Sequence, residues 1–212
     1  MSSFRRLALI STLATGTLSL LSACSILPTA ANTSLYSLNL GTPGTSQRCT
    51  VSFSIRELKI AGYLDRAEVV TDRSDAQIQA SALHLWAAPL KDELRRTVGL
   101  AVGQRWENSR LISYPWRYGE TPAVALDISI DQLEPVAGRL HMQARWQLIG
   151  LNSPGRENTR LIRNSNFQKS MNLPVNDANA VVVAINQALS LLSDEIAQSA
   201  TEPASRASLC GA

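Results

Sequence analysis

The chain has 212 residues, with 20 Lys and Arg against 17 Asp and Glu, two histidines and three cysteines. That length suits one domain with a real core and is short for two. A formal charge of +3 is too small to supply the basic face that phosphate backbones demand, which excludes a nucleic-acid binder.

Arg5 and Arg6 precede an uncharged apolar run from Leu7 to Leu21, and the run ends at Leu21-Ser22-Ala23-Cys24. A basic start, an apolar middle and small residues before a cut site make a secretory signal peptide. The run is shorter than the roughly 20 residues a transmembrane helix needs. Leu21-Ser22-Ala23-Cys24 resembles the lipobox of bacterial lipoproteins, in which signal peptidase II cuts before the cysteine and the thiol takes a diacylglycerol. This predicts a signal peptide over 1–23, cleavage between Ala23 and Cys24, and a diacylglycerol and an N-acyl chain on Cys24. The alternative is an ordinary signal peptide with an incidental cysteine. Cleavage leaves 212 − 23 = 189 residues with 18 basic and 17 acidic, because Arg5 and Arg6 are the only charges removed. No second apolar run is expected to span a bilayer.

Residues 24–35 lack charge and periodicity and contain Pro28, so they read as a lipidated flexible tether. The domain is expected over 36–199, with 200–212 as a small, polar C-terminal tail. Cys49 and Cys210 remain once Cys24 is lipidated. In an oxidising, exported compartment they can form a disulfide, and the chain-entropy model allows about 5 kcal/mol for so long a loop. Two unpaired thiols are the alternative.

Tyr36-Ser37-Leu38 suggests a short strand. Val51, Phe53 and Ile55 alternate with polar residues and Ile60 extends the run, the period of a half-buried strand. Gly62 marks a turn. Glu68–Thr71 and Gln77–Ser81 suggest a small hairpin around Asp72, Ser74 and Asp75. Beyond Pro89, the spacing of Leu90, Leu94, Val98, Ala101 and Val102 predicts a helix over about 88–106. Leu111–Trp116 reads as the next strand, which makes a crossover unit. Val124, Leu126, Ile128 and Ile130, then Leu140, Met142, Ala144, Trp146 and Leu148, predict two long strands in an antiparallel hairpin. Thr159–Lys169 alternates poorly and reads as an edge strand. Asn176 or Asp177 can cap a last helix ending near Ser199, with Val181, Ile185, Leu189, Leu192 and Ile196 buried. The whole is α+β with α/β-like features: a single domain whose mixed, largely antiparallel sheet carries two main helices.

Catalytic constellations are sparse. His141 is expected as an exposed surface histidine and His84 as a packed or surface one. No Cys/His spacing suits a metal, and no phosphate loop or nucleophile elbow is present. Asp127 and Asp131 sit four apart on one strand face and look like a paired-carboxylate site, but solvated face residues explain them equally. No catalytic residue is assigned.

Four stretches in order, behind the lipobox, carry a family resemblance: Tyr36-Ser37-Leu38, Tyr63-Leu64-Asp65-Arg66-Ala67-Glu68-Val69-Val70, Leu85-Trp86-Ala87-Ala88-Pro89-Leu90 and Ala144-Arg145-Trp146-Gln147-Leu148. Together they resemble the ABC-type transport auxiliary lipoproteins, the PqiC-like group. Ala67 departs from the proline expected there. The resemblance implies a non-catalytic lipoprotein on the periplasmic face of the outer membrane. It implies a partner too, an MCE-domain protein of an intermembrane lipid transport system. Ser25, in place of aspartate, agrees with outer-membrane sorting. The densest aromatic-basic cluster, Tyr114, Trp116, Arg117 and Tyr118, is the candidate partner contact, because interface hot spots favour these residue types. The alternative places Tyr114 and Trp116 in the core. Two other functions stay open: an envelope lipid- or peptidoglycan-binding protein acting alone, and a structural lipoprotein that forms homo-oligomers.

Overall fold

Among the described residues, the strands in chain order are β1 (Ser34–Tyr36), β2 (Gln47–Arg48), β3 (Ser52–Ile60), β4 (Glu68–Ser74), β5 (Gln77–Trp86), β6 (Trp106–Glu107), β7 (Arg110–Leu111), β8 (Val124–Val136), β9 (Arg139–Gly150) and β10 (Arg160–Asn172). A 3-10 turn (Gly62–Leu64) and two α-helices, α1 (Leu90–Arg105) and α2 (Ala178–Ser199), complete the set. The computed structural model describes residues 32–41, 46–74, 76–151, 160–175, 177–202 and 209. Cys24 and Cys210, with the signal peptide, most of the tether and most of the tail, lie outside them.

The long alternating runs form the central hairpin. β8 and β9 pair antiparallel, from Val124 opposite Gly150 to Val136 opposite Arg139. A two-residue turn closes it at Ala137 and Gly138, with φ of 49° and 72°. Positive φ at both turn positions is what the twist of a tight hairpin requires, and glycine meets it freely. β10 adds antiparallel to β9 and ends the sheet, as its weak alternation predicts. On the other side β3 runs parallel to β8, and β7 parallel to β3, giving the order β10-β9-β8-β3-β7. The chain between β3 and β7 includes α1, so the expected crossover is present.

Three features differ from expectation. The strands divide into this five-stranded sheet, a three-stranded sheet of order β1-β5-β4, and the short pair β2-β6. The first strand covers Ser34–Tyr36 rather than Tyr36–Leu38, so Ser34 and Leu35, assigned to the tether, already pair with β5. The β4–β5 hairpin is longer than expected, with β5 continuing to Trp86.

One face of the five-stranded sheet carries Phe53, Leu126, Ile130, Met142, Leu148 and Phe167, all buried. α1 lies against β3 and α2, and α2 also meets β4, β9 and β10. Each fully buried side chain of this kind contributes about 1.5–3 kcal/mol. Asp92 and Glu93 occupy the first turn of α1 and Arg105 its last, the polarity that suits the helix dipole. Asp177 caps α2, its carboxylate accepting the Ala180 N–H at 2.7 Å. By length and composition α2 could cross a bilayer, against the expectation of no second such run. Its apolar residues, Val181, Ile185, Leu189, Leu192 and Ile196, are instead spent on the core.

A polar clamp joins the two larger sheets. Glu134 on β8 is 3% exposed and accepts from Arg73 of β4 at 2.5 Å and from Gln132 at 2.9 Å. Arg73 also lies over the Tyr63 ring, 5.2 Å from its centroid. Burial alone would raise the Glu134 carboxyl; the bonds from Arg73, Tyr63 and Gln132 outweigh it and hold the group below its ordinary value of 4.5. Burial, then the bond to Glu134, pushes Tyr63 up to about 12. A depressed carboxyl binds its proton more weakly in the folded state. Its stabilisation is therefore present above the ordinary value and is lost as pH falls through the folded one. Urea unfolding midpoints are expected to drop below pH 4.5, and less steeply in Glu134→Gln. Equal slopes in the two proteins would remove Glu134 from the account.

Candidate functional site

The aromatic-basic stretch is not a strand. β7 stops at Leu111, after the Ile112 N–H donates to Phe53 O at 2.8 Å. Pro115, in a cis bond with Tyr114, has no N–H to continue a ladder. The chain then turns, with the Glu120 N–H donating to Arg117 O at 3.0 Å and Gly119 at φ +81°. It returns at Ala123, whose N–H reaches Ser52 O at 3.0 Å. Residues 112–123 therefore form an excursion at the end of the sheet where β3, β7 and β8 lie together.

That excursion puts the predicted contact residues outside. Tyr114 is 49% exposed, Tyr118 is fully exposed, and Arg117 is exposed. Trp116 is half-buried and holds Tyr114 edge-on, with ring centroids 5.4 Å apart at 85°. Its Nε1 is buried and has no partner among the described residues. The alternative that placed both rings in the core does not hold for Tyr114. The stacked pair has a rigid base and an exposed tip.

Beside it lies a groove of about 290 Å³ between α1 and the β7 edge. Ile55, Leu111, Ile112 and Tyr114 line one side, and Asp92, Arg95, Arg96 and Leu100 the other. Leu100 and Leu111 are 48% and 39% exposed, large apolar surfaces for residues beside charged ones. Gly99 lets the walls approach: a Cβ there would stand 3.0 Å from Leu111 Cδ2 and 3.4 Å from Ile55 Cδ1. The sequence reading missed this groove. Its one signal was Leu100, a leucine on the helix face otherwise carrying Arg96 and Gln104, four residues to either side.

The carboxylate pair separates into two ion pairs. Asp127 is 7% exposed rather than solvated. An irregularity between Ile55 and Glu57 leaves Arg56 as the extra residue of β3, and its guanidinium donates to both Asp127 oxygens. Asp131 is itself the extra residue of a second irregularity, between Ile130 and Gln132, and Arg145 donates to it at 2.7 and 3.0 Å. The Arg145 bond, reinforced by Ser129, holds Asp131 below its ordinary value. Two carboxylates each tied to an arginine are poorly suited to sharing a proton.

Between and around them, Glu57, Lys59, Ser129, Gln147 and Asn164 line a shallow polar hollow of about 440 Å³ on the sheet's other face. His141 is half-buried rather than exposed, opposite Glu134 and Ser170. His84 packs on Tyr36, its Nδ1 sharing a hydrogen bond with the Tyr36 hydroxyl at 3.1 Å. No cluster of three metal-ligating side chains occurs among the described residues. Cys49 is 2% exposed and disulfide-bonded, and Leu209 packs against the core. Cys24 and Cys210 lie outside the described residues.

Comparison with solved structures places the fold. A crystal structure of an uncharacterized protein shares 21% identity, covering 79% of this chain and 97% of that one, with a TM-score of 0.61. Protein XCC0632 from Xanthomonas campestris, of the DUF330 family, shares 18% identity over 79% of this chain and 94% of its own, with a TM-score of 0.62. A search of the curated proteins gives no match. The family model for the ABC-type transport auxiliary lipoprotein component matches residues 36–197. With that match spanning most of its length, the chain belongs to the ABC-type transport auxiliary lipoprotein family.

Proposed function

We propose that the protein is an outer-membrane lipoprotein, held by acyl chains on Cys24, that docks an MCE-domain partner of an intermembrane lipid transport system from the periplasmic face. Family membership supports the auxiliary transport role. The observation that carries the docking role is the exposed Tyr114–Tyr118 excursion beside an apolar groove rimmed by arginines. Tyrosine gives large contact area at low conformational-entropy cost, and both tyrosine and arginine are enriched at interface hot spots. Anchoring makes docking a local event, favoured by a high effective concentration.

Replacing Tyr114 and Tyr118 together by serine is expected to weaken capture of the MCE-domain partner at least tenfold, about 1.4 kcal/mol. Trp116 is left in place because it braces the loop. The variant should keep its near-UV circular dichroism apart from the lost tyrosine signal. A folded double variant that captures the partner as well as the parent would reject this surface.

A further inference from the structure

The groove runs along an open sheet edge. β7 is the outermost strand of its sheet. The Arg110 N–H donates to Val51 O at 3.0 Å and the Ile112 N–H to Phe53 O at 2.8 Å. Successive residues of a strand turn their hydrogen-bonding groups to opposite sides. The Leu111 N–H and C=O therefore face away from β3, toward the open side. An unpaired edge of this kind is a template for another extended segment.

The side chains around that edge narrow the choice of segment. Leu100, Leu111 and Tyr114 offer apolar contact, as above. Arg95 spends one N–H on Ile55 O at 3.0 Å and makes no ion pair among the described residues. Arginine carries five donors in a planar fork, so the rest remain for a carboxylate. Arg96 differs, because Glu93 already neutralises it at 3.1 Å. At about 290 Å³ the groove lies at the floor of the range for small-molecule sites, which suits two or three peptide side chains better than a two-chain lipid.

We propose that the β7 edge is a strand-addition site. An extended segment of the docking partner pairs with the backbone of Leu111, places apolar side chains between Leu100 and Tyr114, and sets a carboxylate on Arg95. Main-chain bonds supply affinity in this mode, and alternate side chains supply selectivity. The inference rests on the docking role proposed above and adds the chemistry of the partner's segment.

The test uses the lipidated protein in nanodiscs of phosphatidylethanolamine and phosphatidylglycerol, and a phage-displayed library of twelve-residue peptides. Selected peptides are expected to alternate apolar and polar residues and to share an Asp, a Glu or a free C-terminus. Their binding should fall at least tenfold in Arg95→Gln, and hydrogen exchange of the Leu111 amide should slow when they bind. Leu111→Pro removes only an outward N–H on an edge strand and should block binding as well. If that variant unfolds at a lower temperature, Arg95→Gln and the exchange rate decide. Failure to enrich any peptide over empty discs would overturn the proposal. So would peptides that ignore Arg95 and leave the Leu111 amide unprotected. Capture of the MCE-domain partner that survives Arg95→Gln but fails in the Tyr114/Tyr118 variant would overturn strand addition and leave docking standing. Capture that survives both would overturn the two together.

Discussion

Arg105→Ala is expected to lower the free energy of unfolding by about 3–5 kcal/mol, the range for breaking a buried ion pair by removing one partner. Arg105 ends α1 with its side chain 3% exposed, against α2. Its Nε donates to Asp194 Oδ1 at 2.5 Å, and its two terminal nitrogens reach Ala101 O at 3.0 Å, Ser190 Oγ at 2.8 Å and Ser190 O at 3.3 Å. Deletion strips a charge partner from Asp194 and donors from two α-helical carbonyls, and it opens a cavity between the helices. Asp194 is 35% exposed, so water can reach it, which points to the lower half of the range. Whole domains are stable by about 5–15 kcal/mol, so the loss is a large fraction of the total. Arg105→Met refills part of the volume without the donors, and separates packing from pairing. Urea unfolding of the three proteins measures both terms. A loss below about 1 kcal/mol for Arg105→Ala would mean that the pair is not holding the helices together.

This clamp could not be read from the sequence. Arg105 and Asp194 stand 89 residues apart. Helical spacing puts Arg105 on the buried stripe, four after Ala101 and three after Val102, but names no partner for it. What could be read was periodic. Fourteen residues of strict alternation from Val124 to Ile130 and Leu140 to Trp146 left one choice of buried face, because slipping by one residue would expose the whole set. α1 and α2 were legible for the same reason at the helical period. The parallel pairing of β2 with β6 was not, since two-residue strands owe their existence to neighbours rather than to propensity.

The site was half legible. Tyr114, Trp116, Arg117 and Tyr118 stand out by composition, but the strand predicted over Leu111–Trp116 runs through Pro115, which cannot donate to a ladder. Arg95 and Leu111 were out of reach because their groove exists only where a helix meets a sheet edge. The Arg56 contact with Asp127 arises from a one-residue strand irregularity, and no pattern in nine residues of β3 announces it.

Cys24→Ala is expected to leave the domain folded and to abolish function in the cell. β1 begins at Ser34, so about nine residues separate a lipidated Cys24 from the first paired strand. Nine residues span at most about 30–32 Å even when fully extended, so an anchor at Cys24 would hold the domain close to the membrane surface. Each buried methylene contributes about 0.8 kcal/mol, and several acyl chains together hold where one would exchange. The docking surface proposed here is small: one aromatic loop and one groove of about 290 Å³. A surface of that size gives weak association in free solution. It becomes effective when confinement raises the local concentration of the partner, and a short linker sustains concentrations on the order of millimolar. Removing the lipid therefore removes the encounter while leaving the contact intact. The expected result is a variant with unchanged unfolding behaviour, recovered in the soluble periplasmic fraction, that fails to restore the envelope barrier in a strain lacking the parent gene. Tethering the same variant through an unrelated membrane anchor with a comparable linker should restore it. Full restoration by the soluble form would show that placement is dispensable and that affinity alone brings the partners together.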